Sequence, residues 1–205
     1  MREFLIVISI IFTPLVASLI PSKSYTTVTS VNGYNVTLAN KIGIKYQTAL
    51  VVRTLSNGDF ATAYIMQTSS NQAKIVDTDP TNGDNLANIK PAVKVGDKVI
   101  GGFLYDKVVI LANNKESFNQ IQTQLGINSL TPDTFAAFLK ANNQNYPNSN
   151  SYKKFAKMVG VGLFIIQKNN SIEVYDPISE KILSKMDFKN RGNKDIKPFY
   201  STFTN

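Results

Sequence analysis

Asn32-Gly33 separates two runs of β-branched and polar residues, SYTTVTSV before it and YNVTLA after it. Both turn residues tolerate positive φ, so the pair predicts a β-hairpin closed by a type I′ turn. The arrangement recurs directly: TALVVRTL, the turn SNGD, FATAYIMQT, and then QAKIVDT after SSN. Short strands joined by short turns, with no helix signal from residue 24 to about 76, predict a small antiparallel barrel or sandwich. VGD leads into two further strand-like runs, KVIGGFL and KVVILA, where the β layer is expected to close. The pair Gly101-Gly102 marks a bulge or a close backbone approach.

Beyond residue 112 the apolar period changes. Phe118, Ile121 and Leu125 recur at i, i+3 and i+7, with Asn114 as N-cap and Gly126 just past the end. TPDTFAAFLKAN predicts a second helix capped by Thr131, with Pro132 at its first position and Phe135, Phe138 and Leu139 on one face. NSYKKFAKMVG predicts a third, burying Tyr152, Phe155 and Val159 and stopping at Gly160. VGLFIIQK and IEVYD, joined by NNS, form a hairpin, and KILSKMDF supplies a possible third strand. The fold class is therefore α+β: an amino-terminal antiparallel β barrel or sandwich (residues 19–112), then an α+β module with about three helices and a terminal β-hairpin (residues 113–205).

The reactive inventory is thin, with no His, no Cys and no Trp among 205 residues. That removes Ser–His–Asp, Cys–His and haem–His chemistry and any Cys/His zinc site. No GxSxG or GxxxxGK spacing appears, so the expectation is a non-enzyme without cofactor. A distant alternative is a carboxylate-based hydrolase of envelope glycan drawing on Asp77, Asp79, Asp84 and Asp106. The loop DTDPTNGDN, residues 77–85, invites a calcium reading. Counted from Asp77, an EF-hand would need glycine at position 6 and glutamate at 12. Glycine arrives one place late, at Gly83, and position 12 is Asn88, so the loop reads as a polar connection between strands.

Residues 1–18 carry Arg2, an apolar run from Phe4 to Phe12 and small residues at Ala17 and Ser18, the order of a secretory signal peptide. A mature chain starting near Ser18 or Leu19 is expected in the periplasm or, alternatively, on the cell surface, with no membrane insertion after cleavage. The alternative is a retained anchor. Removing residues 1–17 takes one base and one acid, so the net charge of +8 stays with the mature chain. In an exported protein this charge points to an acidic protein partner rather than to nucleic acid. The candidate partner-binding residues are Lys153, Lys154, Lys157, Lys189, Arg191, Lys194 and Lys197, with Phe199 and Tyr200 as aromatic anchors or as core packing.

VKVGDKVIGGFLYDKVVILANNKESFNQI, TPDTFAAFLKAN, VGLFIIQKNNSIEVYD and the terminal KPFYS resemble the amino-terminal domain of the plasminogen-binding protein A family of epsilon-class proteobacteria. The shared motifs fall on Val95, Gly96 and Asp97, on Tyr105 and Asp106, on Pro132, Asp133, Phe135, Ala136 and Ala137, and on Val161, Gly162 and Leu163. All read as turn, cap or core residues, so the resemblance brings no active site. It implies binding of host protein. Longer family members continue into a lysine-rich segment, whereas this chain stops at Asn205. Kringle modules favour an ammonium together with a terminal carboxylate, which Asn205 does not provide, so Lys189, Lys194 and Lys197 are expected to be a weaker substitute. The leading expectation is a periplasmic or envelope scaffold, accessory to the flagellar motor, and the alternative is a surface adhesin for plasminogen.

Overall fold

The computed structural model describes residues 19–80, 87–88 (backbone only) and 92–189. The leader 1–18 and the candidates Arg191, Lys194, Lys197, Phe199 and Tyr200 lie outside them, as do Asp84 and most of the aspartate-rich loop.

The first unit is a closed antiparallel barrel. Its strands are β1 (Ser24–Asn32), β2 (Asn35–Leu38), β3 (Thr48–Leu55), β4 (Gly58–Gln67), β5 (Gln72–Asp77) and, beyond the short β6 (Ala87–Asn88), β7 (Lys98–Gly101). The ring order is β3-β7-β1-β2-β5-β4, closed by β3–β4 pairing, with β6 parallel to β4 outside the ring. Closure removes the unpaired edges that a small open sheet would leave. Alternate residues fill the interior, among them Val28, Val36, Ala49, Val51, Ile65 and Val99. The apolar run ALVV in β3 has no polar alternation because its outer face is covered too: Leu50 and Val52 pack with Phe103, Leu104 and Ile178.

The β1–β2 hairpin forms, but with another turn. Asn32 pairs with Asn35, so Gly33 and Tyr34 are the central residues. Only Gly33 has positive φ, 59°, which fits a type II′ pattern rather than the expected I′. Strand β7 also stops early, at Gly101, because the chain turns there. A Cβ on Gly101 would strike Ser24 and Ile42, so the glycine pair serves close approach rather than a bulge.

The second unit is a mixed sheet of order β12-β11-β10-β8-β9. Its strands are β8 (Val108–Leu111), β9 (Ser129–Leu130), β10 (Leu163–Lys168), β11 (Ser171–Asp176) and β12 (Lys181–Asp187). Although β8 reads as the last strand of the β layer, it runs parallel to β9 and β10 inside this sheet, between the central β10 and the edge strand β9. It is buried on both faces, which is why VVIL carries no alternation. Helix α1 (Lys115–Leu125) covers one face, where Ile121 meets Val108, Ile110, Leu163 and Val174. Helices α2 (Pro132–Ala141) and α3 (Ser149–Val159) cover part of the other through Phe135, Leu139, Phe155 and Phe164.

The helix ends follow local chemistry. Asn114 Oδ1 accepts from Ser117 N at 2.8 Å, and Gly126 takes φ 60° past the end of α1. Thr131 stands at the N-cap of α2 without a side-chain cap bond; the fixed φ of Pro132 supplies the start instead. Helix α3 begins at Ser149, where Asn148 and Ser151 exchange bonds of 3.0 and 2.7 Å as a capping box. Among the described residues no helix is long and apolar enough to cross a membrane.

Candidate functional site

The basic face expected on α3 is largely taken up within the molecule. Lys153 and Lys157 reach Asp77, at the end of barrel strand β5, at 3.4 and 3.2 Å, and Lys157 lies 3.9 Å from Asp79. Asp77 Oδ1 also accepts from Asp79 N at 2.9 Å, closing a local turn. This half of the aspartate loop ties the barrel to α3. Among the described residues no three acids gather into a metal-holding group. Among the described lysines of the expected set, Lys154 and Lys189 are exposed.

Beside this contact a buried carboxylate joins the two units. Asp176, at the end of β11, is fully buried and accepts five hydrogen bonds. Oδ1 takes Ile178 N at 2.8 Å and Ser179 N at 3.0 Å. Oδ2 takes the Tyr105 hydroxyl at 2.5 Å, the Thr48 hydroxyl at 2.7 Å and Thr48 N at 3.3 Å. Thr48 opens β3 of the barrel, so the contact crosses between the units. Burial raises the Asp176 pKa, against the downward pull of these donors. Burial, and then the Asp176 charge, push the Tyr105 hydroxyl well above its ordinary value. A second pair lies within the barrel unit: Arg53, on β3, grips Asp97, just before β7, through two bonds of 2.8 and 2.7 Å, and Asp97 also accepts from Lys94 N.

The motif residues singled out in the sequence thus have structural work. Asp97 holds Arg53, Tyr105 holds Asp176, and Phe135 meets Phe155 edge-on with ring centroids 4.9 Å apart. At Gly162 a Cβ would run into the Leu104 carbonyl. A protein-family model described as Plasminogen-binding protein pgbA N-terminal matches residues 23–205. The chain belongs to that family. No curated protein and no solved structure matches it.

On this family member a cleft of about 650 Å³ opens on the sheet face beside α3 and the α2–α3 connection. Cross-strand register builds its floor. Tyr175 pairs with Ile182, Ile166 with Glu173, and Glu173 with Lys185, placing these side chains on one face. The wall is Tyr146, Pro147 and Ser149 from the α2–α3 connection, with Tyr152 from α3. Tyr152 and Tyr175 stand 5.1 Å apart, so the floor is continuous with the aromatic core. Tyr146 is 77% exposed and Ile182 50%. Burial first, then the Glu180 and Asp176 charges, raise the Tyr175 pKa to about 12. Sequence reasoning treated helical aromatics as core and left Tyr146, Tyr175 and Glu180 unassigned. The available signal was a tyrosine-proline pair in a polar connection, which no periodicity requires to be buried.

Proposed function

We propose that this chain is a non-catalytic, exported protein that works by binding another protein, with plasminogen as the first partner to test. The family match over residues 23–205 carries this reading, because the family's description names plasminogen binding. The absence of imidazole and thiol from the sequence supports a binding rather than a catalytic role. Of the two placements the sequence raised, the family's description leans toward a surface adhesin. A periplasmic scaffold rests on the expected export and charge, and its link to the flagellar motor on the resemblance. Among the described candidates, presentation to a lysine-seeking partner falls to the exposed Lys154 and Lys189, since Lys153 and Lys157 are engaged with Asp77. Surface plasmon resonance of purified chain against plasminogen, with and without a competing free lysine analogue, tests it. Analogue-sensitive capture is expected. No capture, together with protection from protease on intact cells and impaired motility in a deletion strain, would replace the adhesin with the scaffold.

A further inference from the structure

We infer that β12 is a dimerisation edge, at which a second copy of this chain pairs antiparallel about a two-fold axis beside Met186. This goes beyond the plasminogen reading and does not depend on it. The barrel is closed, but the second sheet ends on β12, whose neighbour among the described residues is β11 alone. All seven residues, Lys181–Asp187, are exposed or half-buried along that edge. Ser184 Oγ reaches the Leu19 carbonyl at 2.8 Å on the face that α1 covers, because its register partner Val174 belongs to that core. Among the described residues no main-chain bond meets β12 from its outer side. Such a row of unpaired N–H and C=O groups is a template for a further strand. Lysines and a register slip discourage indiscriminate pairing, so the strand that fits must match them.

Pairing with β11 fixes which main-chain groups face out. Phe188 N donates to Asn170 O at 2.8 Å, so Phe188 and, by alternation, Met186 and Ser184 turn their main-chain groups inward. Lys185 and Asp187 turn theirs outward. Residues that exchange bonds in an antiparallel pair stand opposite each other, so outward residues must meet outward residues. An axis beside Lys185 sets that lysine against its own copy, and one beside Asp187 sets that aspartate against its own copy; like charges placed opposite destabilise a pair. An axis beside Ser184 runs the pairing into Leu183, where the register with β11 slips. With the axis beside Met186, Lys185 meets Asp187 of the second copy, and the two-fold repeats the contact. Both side chains lie on one face, because their partners on β11 are Glu173 and Ser171, two residues apart. Asp187 is exposed and makes no ion pair among the described residues, while Lys185 is 60% exposed and reaches Glu173 at 3.3 Å. Met186 meets its own copy at the axis, on the face where it already packs against the core that holds Leu19. The edge is thus self-complementary in hydrogen bonding and in charge at the same register, as an isologous two-fold interface requires. The two five-stranded sheets become continuous, and both tyrosine clefts open on the same side.

The test uses the full chain. Sedimentation velocity across a concentration series should show a monomer–dimer equilibrium. Hydrogen exchange should slow at the Lys185 and Asp187 amides as the dimer fills, while the Met186 amide, which faces β11, stays unchanged. Lys185→Asp and Asp187→Lys should each weaken self-association about tenfold, since each sets like charges opposite one another on both sides of the axis. Mixed in equal amounts, the two variants should recover the wild-type affinity, because every cross-strand pair then joins an acid to a base. Asp187→Lys changes an exposed side chain without an ion-pair partner among the described residues, so it tests the register without removing an ion pair of the single chain seen among them. A chain that stays monomeric throughout the series, single reversals that leave the dimer unaffected, or a mixture no better than either variant alone would overturn the inference.

Discussion

Asp176→Ala is the substitution with the largest effect that the structure lets us work out. It deletes the acceptor of two buried main-chain donors, Ile178 N and Ser179 N, and of the Tyr105 and Thr48 hydroxyls. A buried donor left without an acceptor costs about 1–3 kcal/mol. The two hydroxyls, 3.4 Å apart, can turn toward each other, whereas the main-chain N–H groups cannot turn away. Two such groups give a loss of about 4 kcal/mol. Asp176→Asn keeps one oxygen for the main-chain pair and turns its amide toward the hydroxyls, which then accept; its loss is about 1–2 kcal/mol. Urea unfolding followed by circular dichroism and tyrosine emission reads both values, tyrosine being the usable fluorophore in a chain without tryptophan. The two variants also separate in pH. The folded pKa of Asp176 is raised, so the folded chain holds this proton more tightly than the unfolded chain does, where aspartate titrates near about 3.9. That stabilising contribution is full below the unfolded value and is lost as pH rises through the folded one. Wild type should therefore lose stability relative to Asp176→Asn as pH climbs above about 4. A loss below about 1 kcal/mol in Asp176→Ala, or equal losses in Ala and Asn, would refute the reasoning.

Other expectations follow from single contacts. Gly162→Ala drives a Cβ into the Leu104 carbonyl and should cost about 1–3 kcal/mol, read as a fall in Tm. Arg53→Ala leaves the buried Asp97 without its partner and should cost about 3 kcal/mol in chemical unfolding. Reversing Lys153 and Lys157 to Glu breaks half-exposed pairs with Asp77; after screening, this costs about 1 kcal/mol in the same assay. Lys154→Glu should leave stability within about 0.5 kcal/mol, so it probes binding cleanly.

The elements that were legible in the sequence are those whose signal is local. Asn114, Pro132, Gly126 and Gly160 mark helix ends because a cap or a fixed φ acts within one turn of chain. Alternation marked the barrel strands wherever one face fills the interior. The placement of β8 was not legible, because a strand buried on both faces looks the same in either sheet, and only pairing with β10, more than fifty residues later, decides it. The surroundings of the candidate lysines on α3 were not legible for a related reason. Lys153, Lys154 and Lys157 sit in one short stretch and read as one basic patch, yet their directions around the helix differ. Two of them meet Asp77, some eighty residues earlier in the chain, and one faces solvent. A cluster of like charges in sequence is therefore evidence of a free basic surface only once the acids that tertiary structure brings beside it are known. Here Asp77 and Asp79, weighed from sequence as a cation loop and read instead as a polar connection between strands, prove to be those acids, and their counter-ions are the protein's own lysines.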